Sequence, residues 1–222
     1  EYELLYKIDI SVEPGIELPK QIISENLDQG LSFAKELFPV VLKATTDVIA
    51  HKTDKKALYL NISSEESFKN AYLELENMIK SEFKVENPKI LVQEQIKADE
   101  EIFIGANRDG GSNVYNNEPG FGHLLAFGKG GIYTEVYKDI AYALAPASRE
   151  TILSNLKKTK IIKIIEGARG KNPLALEKLL NVIEAVQNMV LMYPEIESLD
   201  INPILLTESR AVTVDLKVFV RK

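Results

Sequence analysis

The sequence predicts an α+β protein of two mixed α/β lobes with mainly antiparallel sheets. Short β-prone runs recur along the chain, amphipathic helices interrupt them, and the second half is richer in strands. A chain of 222 residues is long enough for one large domain or two small ones around a sizeable core. The expected lobes span 1–92 and 93–222.

The first lobe opens with a helix over about Asn26 to Leu37, carried by Leu27, Leu31, Ala34 and Leu37 at helical spacing. Phe38-Pro39-Val40-Val41-Leu42-Lys43-Ala44 follows as a nearly continuous apolar run, the pattern of a strand buried on both faces. In the next strand, Ala57 to Ile62, simple alternation puts Leu58, Leu60 and Ile62 on one face. Ser63-Ser64-Glu65-Glu66 has the Ser-x-x-Glu spacing of a capping box. Phe68, Ala71, Tyr72, Leu75 and Ile79 then form one helical stripe, and Lys89 to Glu94 reads as a strand.

In the second lobe, Glu101 to Ala106 is a strand candidate. Residues 109–122, with four glycines and a proline, read as a loop. Asn172-Pro173 is expected to cap and open the longest helix, which Tyr193-Pro194 ends. Ser198 to Pro203 and Ala211 to Leu216 alternate as a final pair of strands.

Composition removes several function classes. There are no cysteines, so disulfides, thiol nucleophiles, zinc fingers and iron–sulfur clusters are excluded. Only two histidines are present, His51 and His123, which argues against a multi-histidine metal site. A net charge of −6 argues against nucleic-acid binding, yet local lysines and a metal can still hold a nucleotide. No apolar run approaches the roughly 18–20 residues of a membrane span. No signal-peptide pattern opens the chain, so a cytoplasmic location without membrane association is expected.

The most informative stretch is Ser198-Leu199-Asp200-Ile201-Asn202-Pro203 with the later strand that carries Asp215. Alternation turns Asp200 and Asn202 one way, and Thr213, Asp215 and Lys217 the same way on the partner. A hairpin centred between Glu208 and Ser209 sets Asn202 opposite Asp215 and Asp200 opposite Lys217. Facing residues of an antiparallel pair have Cβ atoms roughly 4.5–5.5 Å apart, so an amide oxygen and a carboxylate can reach one cation. Mg²⁺ prefers oxygen ligands and commonly takes few from protein. The same spacing also fits a solvated hairpin face.

Taken together, FPVVLK (38–43), HKTD (51–54), ILVQE (90–94), FGKGGIYTEVYKD (127–139) and LDINP (199–203) resemble the ATP-grasp subunit of ADP-forming acetyl-CoA synthetases, and more distantly succinyl-CoA synthetase β subunits. The resemblance covers roughly residues 16–218. It implies an ATP-grasp fold and a Mg²⁺-dependent ATP/ADP site, with Lys43 on the phosphates, Gln93 and Glu94 at the adenine hinge, and Glu101 at the ribose. It also implies Asn202 and Asp215 as Mg²⁺ ligands and His51 as a phosphoryl-relay histidine.

The activity implied is that of the nucleotide-binding component of an ADP-forming acid–CoA ligase, which exchanges phosphoryl between a phosphohistidine and ADP or ATP. The partner implied is a CoA-binding α subunit or domain, since no such lobe is evident in the sequence. Three departures stand out: Lys55-Lys56 replaces a Gly-Gly pair, residues 110–122 form a longer segment, and His123 stands where proline is usual. They keep open a noncatalytic nucleotide-binding or regulatory module of the same fold.

Overall fold

A computed structural model describes residues 3–4 (backbone only), 14–45, 57–109 and 120–220. Two compact units divide the chain: Pro19–Ile96, and the segments up to Leu18 and from Lys97 onward. The first strand, β1 (Glu3–Leu4), belongs to the larger unit.

The smaller unit runs β2 (Gln21–Ser24), α1 (Leu27–Lys35), β3 (Val40–Ala44), β4 (Leu58–Ile62), α2 (Glu65–Phe83) and β5 (Ile90–Glu94). Its strands form one antiparallel sheet in the order β2-β5-β3-β4. Asn26 caps α1 by accepting the Gln29 N–H at 2.9 Å. Within α1, Gly30 is buried. A Cβ there would lie 3.0 Å from Ser24 Oγ and 3.2 Å from the Phe68 ring, so glycine lets α1 lie close against α2. The stripe Phe68, Ala71, Tyr72, Leu75 and Ile79 is buried as its spacing predicts, in one core with Leu42, Ile62, Ile90 and Val92.

Two local expectations in this unit are corrected. The capping box of α2 is built by Ser64 and Ser67, not by Ser63 and Glu66. Ser64 is the last extended residue (φ −146°, ψ 159°) before the helix, which puts Ser67 at the third helical position. In β4, Leu58 and Leu60 are about half exposed, whereas Ile62 is buried. Asn61 adopts φ 60°, and the pairing with β3 shifts register there, so Ile62 turns to the core that the other two miss.

The larger unit continues with β6 (Glu100–Arg108), β7 (His123–Lys129), α3 (Thr134–Tyr137), β8 (Ile140–Leu144), α4 (Arg149–Leu156), α5 (Ile162–Ile165), a 3₁₀ turn at Ala168–Gly170, and α6 (Leu176–Met192). It closes with β9 (Ile196–Leu206), β10 (Ala211–Thr213) and β11 (Leu216–Val220). Seven strands form a sheet in the order β1-β11-β9-β6-β7-β8, with β10 also paired to β9. Leu179, Leu180, Ile183, Val186 and Val190 of α6 are buried in one core with Ile102, Ile104, Leu125, Phe127 and Ile201 of the sheet.

The helix expected to open at Asn172-Pro173 starts at Leu176, and at 17 residues it is shorter than the 19-residue α2. The residues before it are held otherwise: Leu174 N–H bonds to Ile165, Ala175 N–H bonds to Thr207, and the Asn172 amide donates to Glu208.

The boundary between units also differs from the 92/93 division. Residues near the N-terminus join the larger unit because β1 pairs with β11, the Thr213 N–H bonds to the Glu17 carbonyl, and Arg210 meets Glu17 at 2.6 Å. At the other end, Gln95 still binds Pro39 and Asn61, so the smaller unit keeps the chain through Ile96.

Candidate nucleotide and metal site

In the smaller unit the helices cover one face of the sheet. On the other face, register aligns Ile23, Leu91, Lys43 and Leu58 in one row across all four strands. Gln21, Gln93 and Val41 form the neighbouring row, where the Gln93 amide donates to Gln21 Oε1 at 2.7 Å. Lys43 and Gln93 therefore share the face that α1 and α2 leave uncovered. Glu94, one residue on, turns the opposite way. Its N–H bonds to the Lys20 carbonyl at 2.8 Å and its carboxylate accepts the Lys20 N–H at 3.2 Å.

In the larger unit the hairpin register is the expected one. Thr213 pairs with Ile204, Leu216 with Ile201 and Lys217 with Asp200. Strand pairing lapses between β10 and β11, but the Asn202 N–H reaches the Asp215 carbonyl at 3.3 Å, so these two residues stay opposite. The lapse leaves Asp215 exposed and free of the strict alternation that would fix its side chain. Thr213, placed on the outer face by alternation, is instead buried, and its hydroxyl has no hydrogen-bond partner among the described residues.

Asn202 accepts the Gly131 N–H at 2.9 Å through Oδ1. A Cβ on Gly131 would fall 2.0 Å from Glu101 Oε2, so the Glu101 carboxylate lies directly against that glycine. Gly131 thus brings Glu101 and Asn202 together, with Asp215 beside Asn202. Two adjacent glycines are the signal that a close backbone approach was needed here.

Asp200 completes the cluster. One of its oxygens, Oδ1, is buried and has no hydrogen-bond partner among the described residues. Burial raises its pKa, with the Asp215 charge adding to the rise and Lys217 opposing it. Lys217 lies across the strand pair, but no salt bridge joins the two among the described residues. All donors here are hard oxygens, the set suited to Mg²⁺. The described residues contain no group of three or more His, Cys, Asp or Glu able to hold a metal, so a cation here relies on the Asn202 amide and on phosphate or water.

His51, Lys55 and Lys56, and residues 110–119, fall outside the described residues. His123 is described and is structural: its buried ring donates from Nε2 to the Ile196 carbonyl at 2.7 Å. A cleft of about 300 Å³ lined by Asp99, Glu100, Lys171, Asn172 and Glu208 includes none of the site residues. No helix among the described residues is long and apolar enough to cross a membrane.

The ATP-grasp domain model matches residues 9–220. The β subunit of ADP-forming acetate–CoA ligase I from Pyrococcus furiosus is 30% identical over 205 residues, covering 91% of this chain and 84% of that one. The ADP-forming 4-hydroxybutyrate–CoA ligase of Nitrosopumilus maritimus is 32% identical over 196 residues, which is 87% of this chain but only 27% of that longer protein. Among solved structures, acetyl-coenzyme A synthetase 1 of Candidatus Korarchaeum cryptofilum, in complex with coenzyme A and Ca-AMPCP, superposes with a TM-score of 0.84 at 28% identity. The match covers 100% of this chain and 94% of that one. The chain belongs to the ATP-grasp family, with the β subunits of ADP-forming acetate–CoA ligases among its members.

Proposed function

We propose that this chain is the nucleotide-handling component of an ADP-forming acid–CoA ligase, binding ADP or ATP with Mg²⁺ and exchanging phosphoryl with a phosphohistidine. The observation that carries this reading is the meeting of Glu101 and Asn202 at Gly131, with Asp215 held opposite Asn202, in a family of ATP-grasp domains. Lys43 and Gln93, on the face of the smaller sheet that α1 and α2 leave uncovered, supply phosphate and adenine contacts, and Glu94 follows Gln93 in the hinge at the end of β5. Glu101 meets the ribose.

Asn202 and Asp215 would hold the metal, which would neutralise charge on the transferring phosphoryl group. Lys43 adds a positive charge to the same task. In the direction of ATP synthesis, a nitrogen–phosphorus bond of phosphohistidine breaks as an ADP β-phosphate oxygen bonds to that phosphorus. His51 is the relay nucleophile, since a neutral imidazole nitrogen attacks phosphorus near neutral pH. A structure of the Korarchaeum synthetase has a phosphohistidine segment pointing towards the nucleotide-binding site, an arrangement that fits this route. The partner is a CoA-binding α subunit or domain, and the setting is cytoplasmic.

Labelling tests the reading. With the CoA-binding partner, Mg²⁺ and ATP labelled at the γ position, a base-stable, acid-labile phosphohistidine is expected, and excess ADP should chase the label back into ATP. His51→Ala should abolish the relay. Nucleotide binding with no label on either chain would instead identify a noncatalytic nucleotide-binding module.

A further inference from the structure

The Gly130-Gly131 turn lies within one unit, next to two of the proposed ligand-binding side chains. Gly131 has φ +90°, a backbone conformation that side-chain-bearing residues rarely adopt. Its N–H points at Asn202 Oδ1, 2.9 Å away. The side on which an L-residue would carry Cβ is filled by Glu101, whose Oε2 would lie 2.0 Å from that atom. Gly130 is equally constrained: a Cβ there would sit 2.4 Å from the Ile102 carbonyl carbon. Its N–H bonds to the Glu101 carbonyl at 2.8 Å. The turn is therefore fastened to β6 at Glu101 and to β9 at Asn202.

We propose that Gly131 is a positioning residue for the metal and ribose contacts: its N–H fixes which end of the Asn202 amide faces the site, and its bare Cα leaves the space that holds the Glu101 carboxylate. The proposal rests on the reading of Asn202 as a metal ligand and Glu101 as the ribose contact. The chemistry is that of the amide group. An Asn side chain has an oxygen acceptor and an NH₂ donor of nearly equal size. A backbone N–H only donates, so it bonds the oxygen and rejects the flipped amide. Oδ1 keeps a second lone pair for a cation. Without the Gly131 N–H, the flipped amide would turn NH₂ toward the cation, which cannot bind it. One glycine thus ties two side chains that come from different strands.

The test uses Mn²⁺ as a paramagnetic stand-in for Mg²⁺, with free Mn²⁺ counted by electron paramagnetic resonance at saturating ADP. Gly131→Ala should weaken Mn²⁺ binding about tenfold, the scale set by losing one hydrogen bond of this kind. In the same variant the residue-131 amide should exchange about tenfold faster than in the parent while the α6 amides keep the parent rate, because only the hold on Asn202 is loosened. A general loss of structure would speed both. If Gly131→Ala binds Mn²⁺ as the parent does, or if its residue-131 amide exchanges at the parent rate, the proposal is overturned.

Asp215→Ala separates the two levels. If it leaves Mn²⁺ affinity unchanged, the metal site itself is wrong; if it weakens affinity and Gly131→Ala does not, only the positioning role fails. Should Gly131→Ala not fold, amide hydrogen exchange replaces it. The Gly131 amide should exchange at least about tenfold faster in Asn202→Ala than in the parent, and an unchanged rate would overturn the proposal.

Discussion

Asn202 and Asp215 show how much a single residue's place can be read from sequence. Alternation and a four-residue hairpin set their register, and the observed pairs Thr213–Ile204 and Leu216–Ile201 have that same register. What the pattern could not give is burial. Thr213 and Asp215 share a parity, yet one is buried and the other exposed, because pairing lapses between β10 and β11. The unpartnered Asp200 oxygen was equally out of reach, since it depends on what neighbouring strands leave unbonded.

Tyr72 gives a pH prediction at the same scale. Its phenol is almost wholly buried beside Ser24 Oγ at 3.4 Å, and burial raises its pKa despite that contact. A raised folded-state value means stability that is complete below the ordinary tyrosine pKa of about 10 and lost as pH climbs through the folded value. Thermal melts of Tyr72→Phe should therefore lose less stability between neutral and strongly alkaline pH than the parent. A steeper alkaline loss in the variant would show that this phenol does not govern it.

Among elements, the helices were the more legible. The stripe from Phe68 to Ile79 has helical spacing over three turns, and each of its members is buried. Ends and irregularities were less so. The cap of α2 moved by one serine, β4 turned Ile62 inward through Asn61, and β7, which carries Gly128 in its interior, was not among the expected strands. That glycine serves a close backbone approach: a Cβ would lie 2.1 Å from the Asp139 carbonyl oxygen. The capping assignment predicts a clear difference between adjacent residues. Ser64→Ala should cost about 1 kcal/mol in chemical denaturation, while Ser63→Ala should stay within about 0.5 kcal/mol. Equal losses would contradict the assignment.

For the whole molecule, the fold and the family were legible because five motifs occur in order over nearly the full chain, which the ATP-grasp match over 9–220 bears out. The unit boundary was not, because the N-terminal residues return to pair with β11 and to bind at Glu17, contacts about 200 residues away in sequence. The chain spans 84% of the β subunit of the Pyrococcus ligase but 27% of the longer Nitrosopumilus ligase. A CoA-binding part supplies the rest in the proposed function.

The most direct measurement is calorimetric titration with ADP, with and without Mg²⁺, on the parent and on Asp215→Ala. The account predicts binding that Mg²⁺ strengthens, and a loss of that strengthening, at least about tenfold in affinity, when Asp215 is replaced. ADP binding that is indifferent to Mg²⁺ and to Asp215, or no binding at all, would contradict it.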